Sequence, residues 1–285
     1  MKTNDKQTLE VCVLASSSKA NATVIQSGTT RILIDCGLSL RELGKRLAGI
    51  GWSPSDIEAV VLTHEHSDHI KGLPRFIKQN RVPVYMTEGT WQDVHPSLGD
   101  ESDLCRVIDV EREFSIGEVT LFPFAIQHDA REPVGFRITA GGLALGFATD
   151  LGQVTEEIKG HLEGMDVLII ESNHDPELLK EAPYPWDLKR RIEGAYGHLS
   201  NNQAGELLEH LSLRDYARLQ VVIAAHVSEN SNCPELVLET LREHWNRSCR
   251  GYQPVFAAAC SKTATELFRI RKENEVFVEE KIRSA

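Results

Sequence analysis

A chain of 285 residues with 41% apolar and 26% charged side chains has the make-up of a globular protein, with length for one large domain or two small ones. Nowhere does it reach the roughly 20 consecutive apolar residues that a membrane-crossing helix needs, so no membrane partner is expected. Its net charge of −11 argues against a broadly basic, charge-driven binder of nucleic acid. The opening stretch, residues 1–10, is polar and lacks the apolar core of a signal peptide, so the expected location is cytoplasmic. The six cysteines are scattered, none in a Cys-x-x-Cys pair and several in apolar runs, which predicts reduced, mostly buried thiols.

Residues 11–15 form an apolar strand, followed by the turn Ser16-Ser17-Ser18-Lys19-Ala20-Asn21. Residues 22–26 and 31–35 read as the next strands, joined by Ser27-Gly28-Thr29-Thr30, with Asp35 closing the second. Leu40, Leu43, Leu47 and Ile50 recur at helical spacing, and Trp52-Ser53-Pro54-Ser55-Asp56 links that helix to the next run. Val60-Val61-Leu62 is apolar without alternation, as in a strand covered on both faces, and Thr63 leads it into His64-Glu65-His66-Ser67-Asp68-His69. Residues 70–79 look helical and 82–86 form a strand. Further strands are predicted at 107–110, 119–125, 134–139 and 143–148, with Gly141-Gly142 as a hairpin turn. Residues 167–171 form another continuous apolar strand, and a helix ends within 189–194. Ser200-Asn201-Asn202-Gln203 has the form of a capping box ahead of a helix over 204–211. Residues 221–225 form a last buried strand, with a helix from about 234 to 245. No repeat, low-complexity segment or long linker interrupts the chain. Strands in two groups interleaved with helices predict one α/β domain over residues 1–285, two sheets face to face with helices outside.

Three histidines and an aspartate within residues 64–69 offer imidazole nitrogen and carboxylate oxygen, donors that suit zinc and similar divalent ions. So many donors so close in sequence cannot all serve one tetrahedral ion and leave an open position. Alternating along a tightly turned backbone, they can serve two neighbouring ions, the arrangement used for hydrolysis. Similar residues follow other apolar strands: His128 in Gln127-His128-Asp129, Asp150 in Thr149-Asp150-Leu151-Gly152, Glu171 in Glu171-Ser172-Asn173-His174-Asp175, and His226 in Ala225-His226-Val227. Gly197-His198-Leu199-Ser200 opens a helix. Each alone is an ordinary turn or cap residue; together they converge on one edge of a sandwich. Bound ions would offset negative charge where a substrate sits, so the net charge does not decide the partner.

This order of motifs resembles the metallo-β-lactamase superfamily over nearly the whole chain, through Asp35, His64-x-His66-x-Asp68-His69, His128, Asp150 and His226. The resemblance implies an αββα four-layer sandwich and two divalent ions, Zn²⁺ or Mn²⁺. One ion would be held by His64, His66 and His128 and the other by Asp68, His69 and His226. Asp150 would bridge them, and Asp35 would orient a ligand from behind. Within the superfamily the chain looks most like the YycJ/WalJ branch. It carries the Ser-rich turn ending in Asn (Ser16 to Asn21), Thr-Asp-Leu-Gly at 149–152, Glu-Ser-Asn-His-Asp at 171–175 and Gly-His-Leu-Ser-Asn at 197–201. The branch implies 5′-to-3′ exonuclease action on duplex DNA, a role in mismatch repair, and duplex ends with repair or replication proteins as partners. Ser16 and Asn21 are expected at the substrate, although this turn has serines where the branch usually has glycines.

Glu171 and His198 resemble the acid and histidine that tRNA 3′-processing relatives set beside their metals. Phosphodiester hydrolysis needs a nucleophile, stabilisation of charge on phosphorus and help for the leaving oxygen. A metal-bridging hydroxide would supply the first, since coordination brings the pKa of water to about 7, with Asp68 serving that centre. The ions would supply much of the second. His198, held in one tautomer by Glu171, would stabilise the phosphate or protonate the leaving oxygen. The 75 residues between Asp150 and His226 leave no room for the inserted clamp of CPSF-type nucleases, so any grip on DNA belongs to the domain surface. Lys189, Arg190 and Arg191 are the expected phosphate contacts, Arg41, Lys45 and Arg46 a second basic set, and Tyr184 and Trp186 the expected stacking groups. The competing readings are a small-molecule thioester or lactone hydrolase, a tRNA-processing-like ribonuclease, and a non-catalytic, metal-stabilised repair adaptor. The Glu171/His198 pair favours phosphate chemistry over the first, and the intact ligand set disfavours the last.

Overall fold

Strands that are apolar on both faces need cover on both faces, and the chain supplies it in four layers. The computed structural model describes residues 8–213, 218–249, 252–272 and 276–279; residues 1–7, most of the polar opening stretch, lie outside the described residues. One sheet is built from β1 (Thr8–Ala15), β2 (Ala22–Ser27), β3 (Thr30–Ile34), β4 (Ala59–Val61), β5 (Val84–Thr87) and β6 (Cys105–Ile108). The other contains β7 (Phe114–Ile116), β8 (Val119–Ala125), β9 (Val134–Ala140), β10 (Leu143–Ala148), β11 (Val167–Glu171), β12 (Val221–Ala225) and β13 (Val255–Ala258), running in the order β13-β12-β11-β10-β9-β8-β7. The chain then returns to the first sheet as β14 (Leu267–Arg271) and β15 (Val276–Glu279), giving the order β15-β14-β1-β2-β3-β4-β5-β6.

Alternation along each strand sorts side chains between two packing zones. Leu145, Phe147, Val167, Ile169, Val221 and Ile223 meet Val11, Ile32, Ile34 and Val61 between the sheets. The intervening Leu168, Ile170, Val222 and Ala224 face outward. They pack beneath α5 (Glu156–Leu162), α8 (Asn201–Ser212) and α9 (Pro234–Ser248). On the opposite side Leu33, Val60 and Leu62 meet Leu43 and Leu47 of α1 (Leu40–Ala48) and Phe76 and Ile77 of α3 (Leu73–Asn80). Fully burying each such side chain contributes about 1.5–3 kcal/mol, so these three zones fix the sheets on which the site is mounted. No helix among the described residues is long and apolar enough to cross a membrane.

The strands predicted at 119–125, 143–148, 167–171 and 221–225 coincide with β8, β10, β11 and β12. Gly141 and Gly142, at φ 60° and 80°, supply the two left-handed residues that a type I′ hairpin needs. The capping box also forms: Gln203 N donates to Ser200 Oγ at 3.3 Å and Ser200 N donates to Gln203 Oε1 at 2.9 Å. The helix expected over 70–79 is instead divided into α2 (Ser67–Ile70) and α3. At the break, a Cβ on Gly72 would stand 1.8 Å from Leu38 O, and Pro74 cannot donate to the preceding turn. The sequence reading also missed α4 (Glu88–Val94), α6 (Pro176–Glu181), α5 and the strands β7, β13, β14 and β15, while the helix ending at 189–194 is α7 (Trp186–Glu193). All six cysteines are free, but only Cys12 and Cys36 are buried. The other four correct the expectation: Cys105 is on the edge strand β6, Cys233 and Cys249 flank α9, and Cys260 is in a loop, so none has cover on all sides.

Candidate active site

The candidate residues meet because their strands end on one edge of the sandwich. Asp35 follows β3, Thr63 to His69 follow β4, His128 follows β8 and Asp150 follows β10, while Glu171 ends β11 and His226 follows β12. Asp35, Asp150 and His226 have left-handed backbones, with φ of 59°, 56° and 53°. For a side chain other than glycine such a conformation costs on the order of 1–3 kcal/mol, and it persists only where neighbours enforce it. Asp35 N donates to Val61 O at 2.9 Å, and His226 N donates to Ser16 Oγ at 2.7 Å. Strain of this kind aims side chains off the sheet edge and into a common space.

His64, His66 and His128 come together there: the ring centroids of His64 lie 4.6 Å from His66 and 5.0 Å from His128. His66 Nδ1 is 3.3 Å from His128 Nε2, and His66 Nε2 is 3.3 Å from Asp129 O. His69 points Nδ1 at Asp35 Oδ2 (2.8 Å) and Nε2 at Asp68 Oδ2 (3.3 Å) and Asp150 Oδ2 (3.4 Å). Asp150 Oδ1 lies 3.2 Å from His226 Nδ1 and 3.8 Å from His128 Nε2, so Asp150 stands between the two walls. Asp35 also accepts from Thr63 N at 2.9 Å and Thr63 Oγ1 at 2.9 Å, which locks it behind His69.

Whether these groups suit a cation can be judged from their hydrogen bonding. His64 Nε2, Asp150 Oδ2 and His226 Nε2 are buried without a hydrogen-bond partner, although buried polar atoms are normally paired. Nitrogen and carboxylate donors left bare in this way fit a divalent ion. The donor atoms of His64, His66 and His128 lie within 4.8 Å of one another, as do those of His64, His69 and Asp150, and those of Asp150, Glu171, His198 and His226. The cluster can therefore hold metal. Its electrostatics agree: burial, reinforced by His69, keeps the His64 pKa well below the ordinary range, leaving a neutral, ligating imidazole. Burial would raise the Asp150 carboxyl, but His226 and His69 overcome it and hold the pKa well down. Burial opposes charge on His69, yet Asp35 and Asp150 push its pKa well up. A cation held by His69 would have to displace the proton so retained, and binding there would release it.

Glu171 is fully buried and serves to position other groups, the role expected of it beside His198. Its Oε1 accepts from His198 Nδ1 at 2.8 Å, as the sequence suggested, but also from His226 Nδ1 at 2.7 Å, which sequence reasoning missed. Ser16 and Asn21 are buried too, and they face the centre from behind instead of facing a ligand. Asn21 Nδ2 donates to Asp68 Oδ2 at 2.9 Å and lies 2.9 Å from His69 Nε2, while Ser16 fixes the backbone of His226. A cleft of about 360 Å³ opens over the cluster, walled by His66, His128, His198, Tyr184 and Arg191 among others. The basic triplet divides. Arg191 lines the cleft and pairs with Asp129, whereas Lys189 Nζ donates to Lys180 O and Arg190 lies 4.6 Å above the ring of Trp186. Helical spacing sends three consecutive residues in three directions, so they cannot form one patch. Arg46 is likewise committed, to Leu14 O and Ser261 O.

Two stacked sheets between helical layers, with a His/Asp cluster along the strand ends, define the metallo-β-lactamase class of hydrolase folds. Comparisons agree: the beta-lactamase superfamily domain matches residues 30–223. The metallo-beta-lactamase fold protein YhfI from Bacillus subtilis superposes with a TM-score of 0.67 at 18% identity, over 91% of this chain and 99% of that one. The chain is 32% identical over 233 residues to exodeoxyribonuclease WalJ of Streptococcus pneumoniae serotype 2, covering 80% of this chain and 85% of the relative. It is also 32% identical over 232 residues to exodeoxyribonuclease YycJ of Bacillus anthracis, covering 80% and 86%. The chain belongs to the metallo-β-lactamase superfamily and, within it, to the family of WalJ and YycJ.

Proposed function

We propose that this chain is a two-metal, cytoplasmic exonuclease that removes nucleotides from the 5′ ends of duplex DNA in the service of DNA repair. The observation that carries this reading is His198, an imidazole on the cleft wall whose Nδ1 donates to the buried Glu171 carboxylate at 2.8 Å. Two divalent ions, one on His64, His66 and His128 and one on Asp68, His69 and His226 with Asp150 between, would activate water and neutralise phosphate charge.

The chain's own groups do the rest. With Nδ1–H committed to Glu171, His198 keeps Nε2 for the substrate; in the imidazolium form its Nε2–H can donate to a phosphate oxygen or pass its proton to the leaving oxygen, leaving the neutral ring on Glu171. Asn21 holds the Asp68 carboxylate and Asp35 holds His69, which fixes the donor atoms before substrate arrives. Arg191 sits on the cleft wall in an exposed pair with Asp129, an arrangement of little intrinsic stability that a phosphate can displace. A cleft of about 360 Å³ is far too small for a duplex, which supports attack on one strand at an end. The 5′-to-3′ direction rests on the resemblance to the WalJ and YycJ branch.

The test is digestion of a 5′-phosphorylated, 5′-end-labelled DNA duplex with Mn²⁺ or Zn²⁺, alongside Asp68→Asn. Release of labelled mononucleotide, lost with chelator and with the substitution, is the expected result. A metal-loaded protein that leaves the duplex intact overturns the proposal and directs the search to thioesters and lactones.

A further inference from the structure

The cleft does not end at the metal cluster. A second lobe of about 80 Å³ shares Ser18, Tyr184 and Ser228 with the first and is completed by Lys19, Glu229 and Asn230. Tyr184 lines both lobes, so its side chain stands at their junction. Pro183 and Pro185 restrict the backbone on either side of it, and Asn230 Nδ2 donates to its hydroxyl at 2.8 Å. Such a ring is held ready as a flat platform.

Lys19 belongs to the same turn that secures the metal cluster. Two residues on, Asn21 N donates to Asp68 O at 2.9 Å and Asn21 Nδ2 to Asp68 Oδ2 at 2.9 Å. The backbone that carries Lys19 is thus anchored beside the centre. The ammonium's partner is Glu229, 2.5 Å away, and the lysine side chain is 68% exposed. A pair so open to water adds little to stability, so a competing anion can take the lysine from the glutamate. Serine hydroxyls and a lysine around one small lobe are the groups that position nucleic-acid phosphates, and an aromatic platform takes any base.

We infer that the smaller lobe is a subsite for the neighbouring nucleotide of a single DNA strand. Tyr184 stacks on a base at the junction, and Lys19, Ser18 and Ser228 receive the next phosphate as Glu229 is displaced. The subsite rests on the exonuclease reading and adds to it a path for the strand beyond the reacting bond.

Binding of a 3′-fluorescein hexathymidylate with phosphorothioate linkages to the full-length protein, followed by anisotropy over a range of salt, tests the subsite. Lys19→Ala is expected to weaken binding several-fold and to lower the log–log salt slope by about 0.7, the value for one contact on a single strand. Tyr184→Ala is expected to weaken binding about tenfold with little change in slope, and Tyr184→Phe, which keeps the ring, to recover most of it. Glu229→Gln removes the competing anion and is expected to tighten binding. The opposed effects at Lys19 and Glu229 are decisive, because loss of a merely structural ion pair would move both variants the same way or neither. Either of those results overturns the subsite while wild-type binding stands. A wild-type protein that ignores the oligonucleotide overturns the nucleic-acid reading itself, and the subsite with it.

Discussion

Glu171→Gln changes one atom and one charge at a point where four donors converge. Glu171 Oε1 accepts from His198 Nδ1 at 2.8 Å and His226 Nδ1 at 2.7 Å, and Oε2 accepts from Leu151 N and, at 3.4 Å, from Leu199 N. A glutamine offers one acceptor oxygen and a nitrogen that only donates, so in either orientation its amide nitrogen confronts two other donors. At least two hydrogen bonds to a charged acceptor are lost, at about 1.5–3 kcal/mol each, or about 3–6 kcal/mol before relaxation. At about 2–4 °C per kcal/mol, as for domains of 150–250 residues, melting of the metal-free protein should fall by roughly 6–24 °C. One escape exists: the two histidines can move their protons to Nε2 and accept from the amide through Nδ1. That tautomer spares the fold but takes the Nε2 lone pair of His226 away from a metal, and zinc affinity then falls, by about 10–100-fold. Calorimetry in chelator and zinc titration together capture both routes. A variant that melts within a degree of wild type and also binds zinc unchanged would refute the description of Glu171 as the common anchor of His198 and His226.

Asn21→Ala removes the donor that fixes Asp68 Oδ2, and zinc affinity should drop about tenfold or more in a competition titration against a chromophoric chelator; an unaltered affinity would mean that Asp68 needs no such support. His174 yields a pH prediction. Burial depresses its pKa to about 4 from an ordinary 6.5, so as pH falls the unfolded chain takes up the proton first. Its contribution is therefore intact above about pH 6.5 and is lost progressively toward pH 4, by at most about 3 kcal/mol. His174→Gln should flatten the fall of melting temperature across that window in chelator, and superimposable profiles would sink the assignment.

Buried continuous strands were the most legible elements in the sequence. Residues 143–148, 167–171 and 221–225 are apolar at every or nearly every position, and only a strand covered on both faces tolerates that in so short a run. The edge strand β7 and the late strands β13 and β14 are short, and β7 and β13 carry partly exposed side chains, so no period distinguishes them from loop. The cluster of histidines after β4 was equally plain, because its donors are contiguous. What the sequence could not disclose is which side chains stand behind which. Ser16 meets His226 across 210 positions, a contact made only when both sheets are in place, and Asn21 meets Asp68 across 47, which needs β1 to β4 joined in one sheet. The Ser-rich turn signalled importance but not direction, and so Ser16 and Asn21 read as facing outward, whereas both are buried against Asp68 and His226. Arg191 separates from Lys189 and Arg190 for a simpler reason, the rotation of successive residues around a helix.

The route of the chain through the two sheets also governs when the centre can exist. During synthesis the turn carrying His64 to His69 emerges early, but the opposing wall follows β10 and β12, and β1 has no partner on its outer side until β14 pairs Val11 with Phe268 and Leu9 with Ile270. Parallel neighbours such as β10, β11 and β12 form only after long crossovers, so this half is slow to assemble as well as late. A copy terminated before residue 226 carries the histidine-rich turn, His128 and Asp150 but lacks His226. The chain therefore gains its complete set of donors only once β12 and the residue after it have been made, and a translation product cut short before that point cannot complete the site.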